Sequence, residues 1–294
     1  MQDLQKNIQL TEPTPQILSD QQVGYSNISY GLATSKAELE QAFQLVWQGY
    51  TKVGLHPEDS YGSRITKYHL LPDAKVFIAM AWNKREEESK VYYEGRVIGT
   101  VTVLHDSCLG LPSEELCKKD IVGLRRKGHR LVEFMGFACD PSTLDQRVSL
   151  KLFTLAYEYC KSQHVSKIVA SLTRRHFGYY RKFLGFKPMG ALCEYEFGNG
   201  TPVQSHYTDV VESLELFKKR SAVLMNDSTW KHFWENEMDK VLEESAKMRP
   251  WTREQMEYFI GRCPKLLEHI DIETANTLSA EYKRYDIELC LTPR

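Results

Sequence analysis

Several broad classes are excluded by what the chain does not contain. Its 38 lysines and arginines nearly balance 39 aspartates and glutamates, for a formal net charge of −1, so no global positive field marks it for nucleic acid or an anionic membrane. No apolar run approaches the roughly 18 to 20 residues of a membrane span. The seven cysteines are odd in number and include no CxxC pair, which reads as reduced thiols and not a disulfide framework. The opening MQDLQKNIQLTEPTPQ has neither a charged start feeding an apolar stretch nor a small-residue cleavage site, so a cytoplasmic location is expected. P-loop, HExxH, GxSxG and dinucleotide fingerprints are missing, and so is metal-ligand spacing among the histidines and cysteines. No resident metal or cofactor is expected, and no repeat period points to a solenoid or propeller.

What is present is enough for a sizeable core: 294 residues at 42% hydrophobic composition, room for one large domain or two small ones. Residues 1–26 are polar, carry Pro13 and Pro15, and read as an extended arm. A short strand over residues 27–32 leads to Ser35 and Glu38, a capping box ahead of a helix whose Leu39, Phe43, Val46, Trp47 and Tyr50 share one face. Residues 55–72 lack periodicity and read as a long loop, the kind that lies over a site. Two strands follow, over 74–82 and 96–105, with the hydrophilic NKREEES between them as a solvated hairpin tip. SCLGLPSEELCKKDIVGLRR supplies a turn and a short helix.

The segment LVEFMGFACD, residues 131–140, is apolar except for Glu133, the composition of a strand buried on both faces. A helix, a second buried strand over 167–172, a helix in RRHFGYYRKFL and a last strand at 193–197 complete an alternation that needs crossovers and places 131–140 and 167–172 side by side and parallel. After GNGTP the strand signals stop. Residues 201–294 read as a helical segment, with Trp230, Phe233, Trp234, Met238, Val241 and Leu242 as core packing and a capping box at Thr252 and Gln255. The expected architecture is α/β: residues 27–200 form a mixed β-sheet flanked by helices, with a C-terminal helical extension.

Glu133 is the most informative residue. A carboxylate buried alone must be partnered, neutralised or turned toward a polar cavity, and burial raises its pKa toward the range of a general base. The plainer alternative is a structural ion pair with Arg125, Arg126 or Arg130. A second feature, SLTRRHFGYYRKFLGF, places His176, Tyr179 and Tyr180 just beyond the end of a parallel strand, where α/β sheets bind ligands. There Tyr180 is a candidate acid for a thiolate leaving group and His176 a candidate partner for a carbonyl or carboxylate, against the ordinary readings of packing and helix start. A third feature is the turn DPSTLDQRVS, which has no glycine to cradle a pyrophosphate. Arg147, Lys151, Arg174, Arg175, Arg181 and Lys182 form instead either a basic rim suited to an acidic carrier or scattered surface charge. Cys139, although beside Asp140, reads as a buried small hydrophobe.

GRVIGTVTVLHDSCLGLPSEE, LRRKGHRLVEFMGFACDP and TRRHFGYYRKFLGF, in this order, resemble the N-acyl amino acid synthases, GNAT-like enzymes related to acyl-homoserine lactone synthases. The resemblance runs from about residue 30 to 197. It implies transfer of a fatty acyl chain from an acyl carrier protein thioester, or from acyl-CoA as co-substrate, to the α-amine of an amino acid. It implies Glu133, His176 and Tyr180 as catalytic residues, and Phe134, Met135, Gly136, Phe137, Phe153, Arg125 and Ser171 as substrate-binding. Backbone N–H groups near Phe134 to Phe137 would hold the thioester oxyanion, and Phe134, Phe137 and Phe153 would wall an acyl tunnel. Gly136 stands where the lactone synthases carry arginine, so a lactone product is not implied. The rivals are an acetyl-CoA-dependent N-acetyltransferase and a non-catalytic module that binds an acyl lipid or a protein partner.

Overall fold

A computed structural model describes residues 28–57, 61–87, 90–141, 146–195, 198–222, 230–231, 233–263, 265–289 and 291. The expected N-terminal arm lies outside the described residues. Strand β1 (Ile28–Leu32) leads to helix α1 (Lys36–Lys52), which begins as its capping box dictates: the Glu38 N–H donates to Ser35 Oγ and the Ser35 N–H to Glu38 Oε2. The hairpin of β2 (Lys75–Glu87) and β3 (Lys90–His105) is longer than expected. Its register runs out to Glu87 opposite Lys90, so most of the charged stretch belongs to paired backbone and not to a tip. Then come α2 (Glu114–Arg126), β4 (Leu131–Cys139), α3 (Gln146–Ser162), β5 (Lys167–Thr173), α4 (Phe177–Leu184) and β6 (Lys187–Glu194).

The sheet does not end there. A seventh strand, β7 (Pro202–Asp209), inserts between β5 and β6, giving the order β1-β2-β3-β4-β5-β7-β6. This corrects the reading of residues 201–294 as purely helical, and it moves the last strand before the turn from 193–197 to Lys187–Glu194. The physical reason is that β7 buries polar side chains. Ser205, His206 and Thr208 are at most 4% exposed, and each is satisfied from afar: Ser205 by Ser171 (3.1 Å), His206 by Arg181 (3.0 Å) and Thr208 by the Gly185 carbonyl (3.4 Å). With β6 left at the edge, Pro188 and its missing N–H are tolerated there.

Past β7, α5 (Val210–Ser221) is capped by Asp209, which accepts from the N–H groups of Val211 and Glu212. A π-turn over Phe233–Glu237, α6 (Met238–Lys247), α7 (Arg253–Arg262), α8 (Lys265–Glu268) and α9 (Ile272–Lys283) complete the chain, with the expected Thr252–Gln255 box at the start of α7. The mixed sheet is therefore sandwiched. Helices α3, α5 and α6 cover one face with Val132 and Phe134 beneath them, while α1, α7 and α9 cover the other over β2 and β3. Helix α2 caps a third, smaller cluster that includes Leu131 and Val169. No helix among the described residues is long and apolar enough to cross a membrane.

Candidate active site at the gap between two parallel strands

Strands β4 and β5 are parallel, as expected, but pair only at Leu131–Lys167, Val132–Ile168 and Glu133–Val169. Beyond Glu133 they separate, although β4 continues to Cys139 and β5 to Thr173. The divergence has a local cause. Between Met135, opposite Thr102, and Ala138, opposite Thr100, two residues of β4 face the single Val101. This is a β-bulge, and it bends the strand that carries it. Its first residue, Gly136, has φ of 59°, the left-handed region that a side chain disfavours, and a Cβ there would stand 3.4 Å from Thr102 Oγ1. Burial raises the pKa of Tyr50, near the end of α1; Arg64 opposes the rise, and after it so do the backbone N–H groups of Gly136 and Phe137, which face the phenol oxygen. Two N–H groups aimed at one oxygen position are what a tetrahedral oxyanion requires.

Glu133 is 2% exposed and lies on the same sheet face as Leu131 and Met135. Ser113 holds both carboxylate oxygens: its N–H donates to Oε2 at 2.9 Å and its hydroxyl to Oε1 at 2.7 Å. A hydroxyl chain continues from Ser113 to Ser171 (2.8 Å) and on to Ser205 (3.1 Å). Burial raises the Glu133 pKa to about 7; the two Ser113 donors oppose the rise, while Glu115 and Glu114 add to it. The alternative of a structural ion pair does not hold. Among the described residues Glu133 has no cationic partner, and Arg125 is bound instead by Asp106, through two contacts of 2.6 Å, and by Glu114. Arg125 thus braces the start of α2, where Ser113 stands, and is not turned toward the gap.

Around the carboxylate lie groups that sequence reasoning passed over. Tyr195, just after β6, has its pKa raised by burial and then by Glu133, and it also feels Arg64. Arg64, from the loop after α1, sits 5.0 Å from the Tyr50 ring centroid. Within the described part of that loop Ser63, Ile65, Thr66, Tyr68 and His69 are buried. Nothing local singles out Ser113, Ser205 or Arg64, and Tyr50 reads as packing because it shares a helical face with Leu39, Phe43 and Val46.

On the opposite face Phe137 stacks on Phe153 at 4.6 Å, and Tyr180 meets Phe153 edge-on at 6.1 Å. Of the expected tunnel walls, Phe137 and Phe153 are thus in contact with each other, while Phe134 packs against Tyr157 at 5.6 Å. Burial lifts the Tyr180 phenol well above its ordinary range, so it keeps its proton. His176 closes a 3-10 turn after β5, with Nδ1 3.0 Å from Thr173 Oγ1; burial, then Arg175, lowers its pKa to about 4, so the ring is neutral at pH 7. No contact joins it to Glu133 or Tyr180.

The basic rim is only partly assembled. Arg174, Arg175 and Lys182 are exposed at the end of β5 and along α4. Arg181 is engaged by His206 and Gln204 and lies over Phe177. Lys151 does not belong to the rim: its ammonium stands 5.3 to 5.8 Å from the rings of Tyr30, Trp230 and Phe233, an aromatic cage on the α3 side of the sheet. The Arg147 side chain lies outside the described residues. Two cavities, of about 840 and 240 Å³, are lined by β1 with the α6–α7 connection and by residues near His105 and Glu281, away from the gap.

A family model described as N-acyl amino acid synthase FeeM matches residues 41–209. The solved structure of FeeM, an N-acyl amino acid synthase from uncultured soil microbes, superposes with a TM-score of 0.52 at 22% identity, covering 63% of this chain and 92% of that one. A CoA-dependent acyl-homoserine lactone synthase, BjaI, gives 0.45 at 14% identity over 67% and 90% of the two chains. The spermidine N-acetyltransferase from Vibrio cholerae gives 0.39 at 17% over 64% and 99%. No curated protein matches. Likeness at such identity shows the fold, a GNAT-like sheet. The family match carries more, since it spans more than half of the chain and takes in the bulge, the gap and Glu133: this acyltransferase belongs to the FeeM family of N-acyl amino acid synthases.

Proposed function

We propose that the enzyme transfers a long-chain fatty acyl group from the thioester of an acyl carrier protein to the α-amine of an amino acid, releasing an N-acyl amino acid and the carrier thiol. The observation that carries this reading is Glu133: a buried carboxylate with a pKa near 7 and no cationic partner among the described residues, at the point where two parallel strands stop pairing. Such a group accepts a proton near neutral pH. In the step proposed, the amine nitrogen attacks the thioester carbon and its proton passes to Glu133. The new C–N bond forms, and the carbonyl oxygen becomes an oxyanion at the position that the Gly136 and Phe137 N–H groups face. Collapse breaks the C–S bond; the departing thiolate takes a proton from Tyr180, which recovers one from solvent in the gap as Glu133 releases the proton it took from the amine, so that the phenol ends the cycle protonated. The serine chain holds the Glu133 carboxylate in place. His176 is assigned to the mouth of the gap, without a proton-transfer step.

Two features favour a carrier protein as donor. The turn after β4 has no glycine for a pyrophosphate. Arg174, Arg175 and Lys182 are exposed at the carboxyl end of β5, where they can attract an acidic surface and steer its phosphopantetheine arm. The test is a comparison of acyl-carrier and acyl-CoA thioesters of one chain length with a mixture of amino acids as acceptors, read by mass spectrometry. N-acyl amino acids formed from the carrier thioester support the reading. Preference for acetyl-CoA overturns the donor, and absence of any amide product overturns the reaction.

A further inference from the structure

The residue that holds Glu133 stands on a helix start that its own helix holds weakly. Ser113 is the N-cap of α2, yet its hydroxyl makes no capping bond; it donates across to the sheet, to Glu133 Oε1 at 2.7 Å. An N-cap serine ordinarily accepts from the N–H groups of the first turn. Cys117, in that same stretch, has φ of −149° and ψ of 44°, outside the helical region, so the turn that begins at Ser113 is broken from the body of α2. Arg125, in the last turn of the helix, spans the break. Its guanidinium reaches Glu114, next in the chain to Ser113, and grips Asp106, just past β3, through two contacts of 2.6 Å. Along an unbroken helix the 11 residues from Glu114 to Arg125 would rise about 16 Å, and the kink at Cys117 is what lets the two side chains meet. Glu114 Oε1 also accepts from the Leu111 N–H at 3.0 Å. The Asp106 N–H donates to the carbonyl of Leu131 at 3.1 Å, on the strand that carries Glu133. The contacts thus close a ring, from Glu133 through Ser113, Glu114, Arg125 and Asp106 back to β4.

We infer that Arg125 is a positioning residue for the proposed base: it clamps the first turn of α2 to the end of β3 and so keeps both Ser113 donors on Glu133. The inference rests on the reading of Glu133 as the base and adds to it what sets the surroundings of the carboxylate. A planar fork that donates from Nε and Nη2 to Asp106, and from Nη2 to Glu114, fixes angle as well as distance. Without the fork the first turn is tied to the rest of α2 only across the kink. Glu133 then loses the donors that oppose the effect of burial and holds its proton to higher pH. The other ionisable groups around it are Glu114, Glu115 and Cys117 of α2, Tyr68 of the loop after α1 and Tyr195 after β6. The two glutamates add to the rise in its pKa, while burial keeps Cys117, Tyr68 and Tyr195 protonated.

The test is the pH profile of kcat for the full chain with a myristoyl-carrier thioester and a mixture of the protein amino acids, the amide product being read by mass spectrometry. Arg125→Met and Asp106→Asn are each expected to move the acidic limb up by about one pH unit, with the plateau at high pH little changed. The two variants alter charge in opposite senses, so an effect through space alone would move the limb up in Arg125→Met and down in Asp106→Asn. Opposite shifts therefore overturn the inference, and so does a lowered plateau with the limb unmoved, the mark of a merely structural role. Should Arg125→Met not fold, Asp106→Asn decides: an upward shift supports the clamp, and a downward or absent one overturns it. In Ser113→Ala the limb has already moved, and adding Arg125→Met is expected to move it no further; a second shift of the same size shows that Arg125 does not act through Ser113. Wild-type turnover in Glu133→Gln refutes the base itself, and this inference with it, whereas loss of that turnover with an unmoved limb in the Arg125 and Asp106 variants refutes the clamp alone.

Discussion

Replacing Glu133 by glutamine removes a charge and leaves the shape. The Ser113 N–H keeps an amide oxygen to donate to, and the new NH2 group donates to Ser113 Oγ, whose proton then turns to Ser171 and that of Ser171 to Ser205. The contacts of 2.7, 2.8 and 3.1 Å that join position 133, Ser113, Ser171 and Ser205 thus reverse direction and persist. The fold is therefore expected to persist while the base is lost, at a cost of about 10²- to 10⁴-fold in kcat. Stability should move the other way. The native carboxyl titrates at about 7 against an ordinary 4.5, so between those values the native state holds a proton that the unfolded chain has released. Wild-type stability falls as pH rises through that window, by about 3 kcal/mol in all, and the glutamine variant lacks this slope. Urea unfolding at pH 5 and pH 8 should show the variant gaining on the wild type by roughly that amount at the higher pH. Turnover within a few-fold of wild type at saturating substrates, or a stability difference that does not grow from pH 5 to pH 8, would refute the assignment of Glu133 as a buried base.

Other perturbations follow from the same geometry. Ser113→Ala removes a donor that lowers the Glu133 pKa, so the acidic limb of the kcat profile should shift to higher pH; an unmoved limb separates Ser113 from the base. Tyr50→Phe takes away the oxygen that the Gly136 and Phe137 N–H groups face. The acyl donor then has nothing to displace, and its KM should fall while the acceptor KM stays, as initial-rate kinetics with each substrate varied would show. Gly136→Ala places a side chain at φ of 59°, with a cost of about 1–2 kcal/mol in denaturant unfolding and a larger fall in kcat than in substrate binding, because the bulge aims the N–H pair. Lys151→Ala should reduce stability by about 1 kcal/mol through its aromatic cage and leave the rate with the carrier thioester unchanged; a raised donor KM would return Lys151 to the carrier rim.

What could be read from the sequence follows from how far apart the interacting residues are. The boxes at Ser35–Glu38 and Thr252–Gln255 are complete within four residues, and both form as expected. Glu133 stood out because a lone carboxylate breaks an apolar run, and the parallel pairing of its strand followed from the helix between the two strands. Strand β7 escaped because Ser205, His206 and Thr208 look solvent-facing until Ser171, Arg181 and Gly185 are brought to them by the fold. Lys151 looked like a rim charge because Tyr30, Trp230 and Phe233, which cage it, come from distant segments. Ser113, 20 residues from the carboxylate it holds, has the same origin.

One glycine links the architecture to the chemistry. If β4 carried no bulge, its hydrogen bonds to β5 could continue past Glu133, and the Gly136 and Phe137 N–H groups would be spent on sheet pairing. Left-handed Gly136 shifts the register against β3 and turns those donors toward Tyr50. The opened gap then lies between two unlike environments. On one side are the acidic, hydroxyl-lined surroundings of Glu133; on the other, the packed rings of Phe137, Phe153 and Tyr180. A charged amine-bearing acceptor and an apolar acyl chain have opposite solvation needs, so in the proposed reaction the two would approach from opposite faces of one sheet and meet at the bulge.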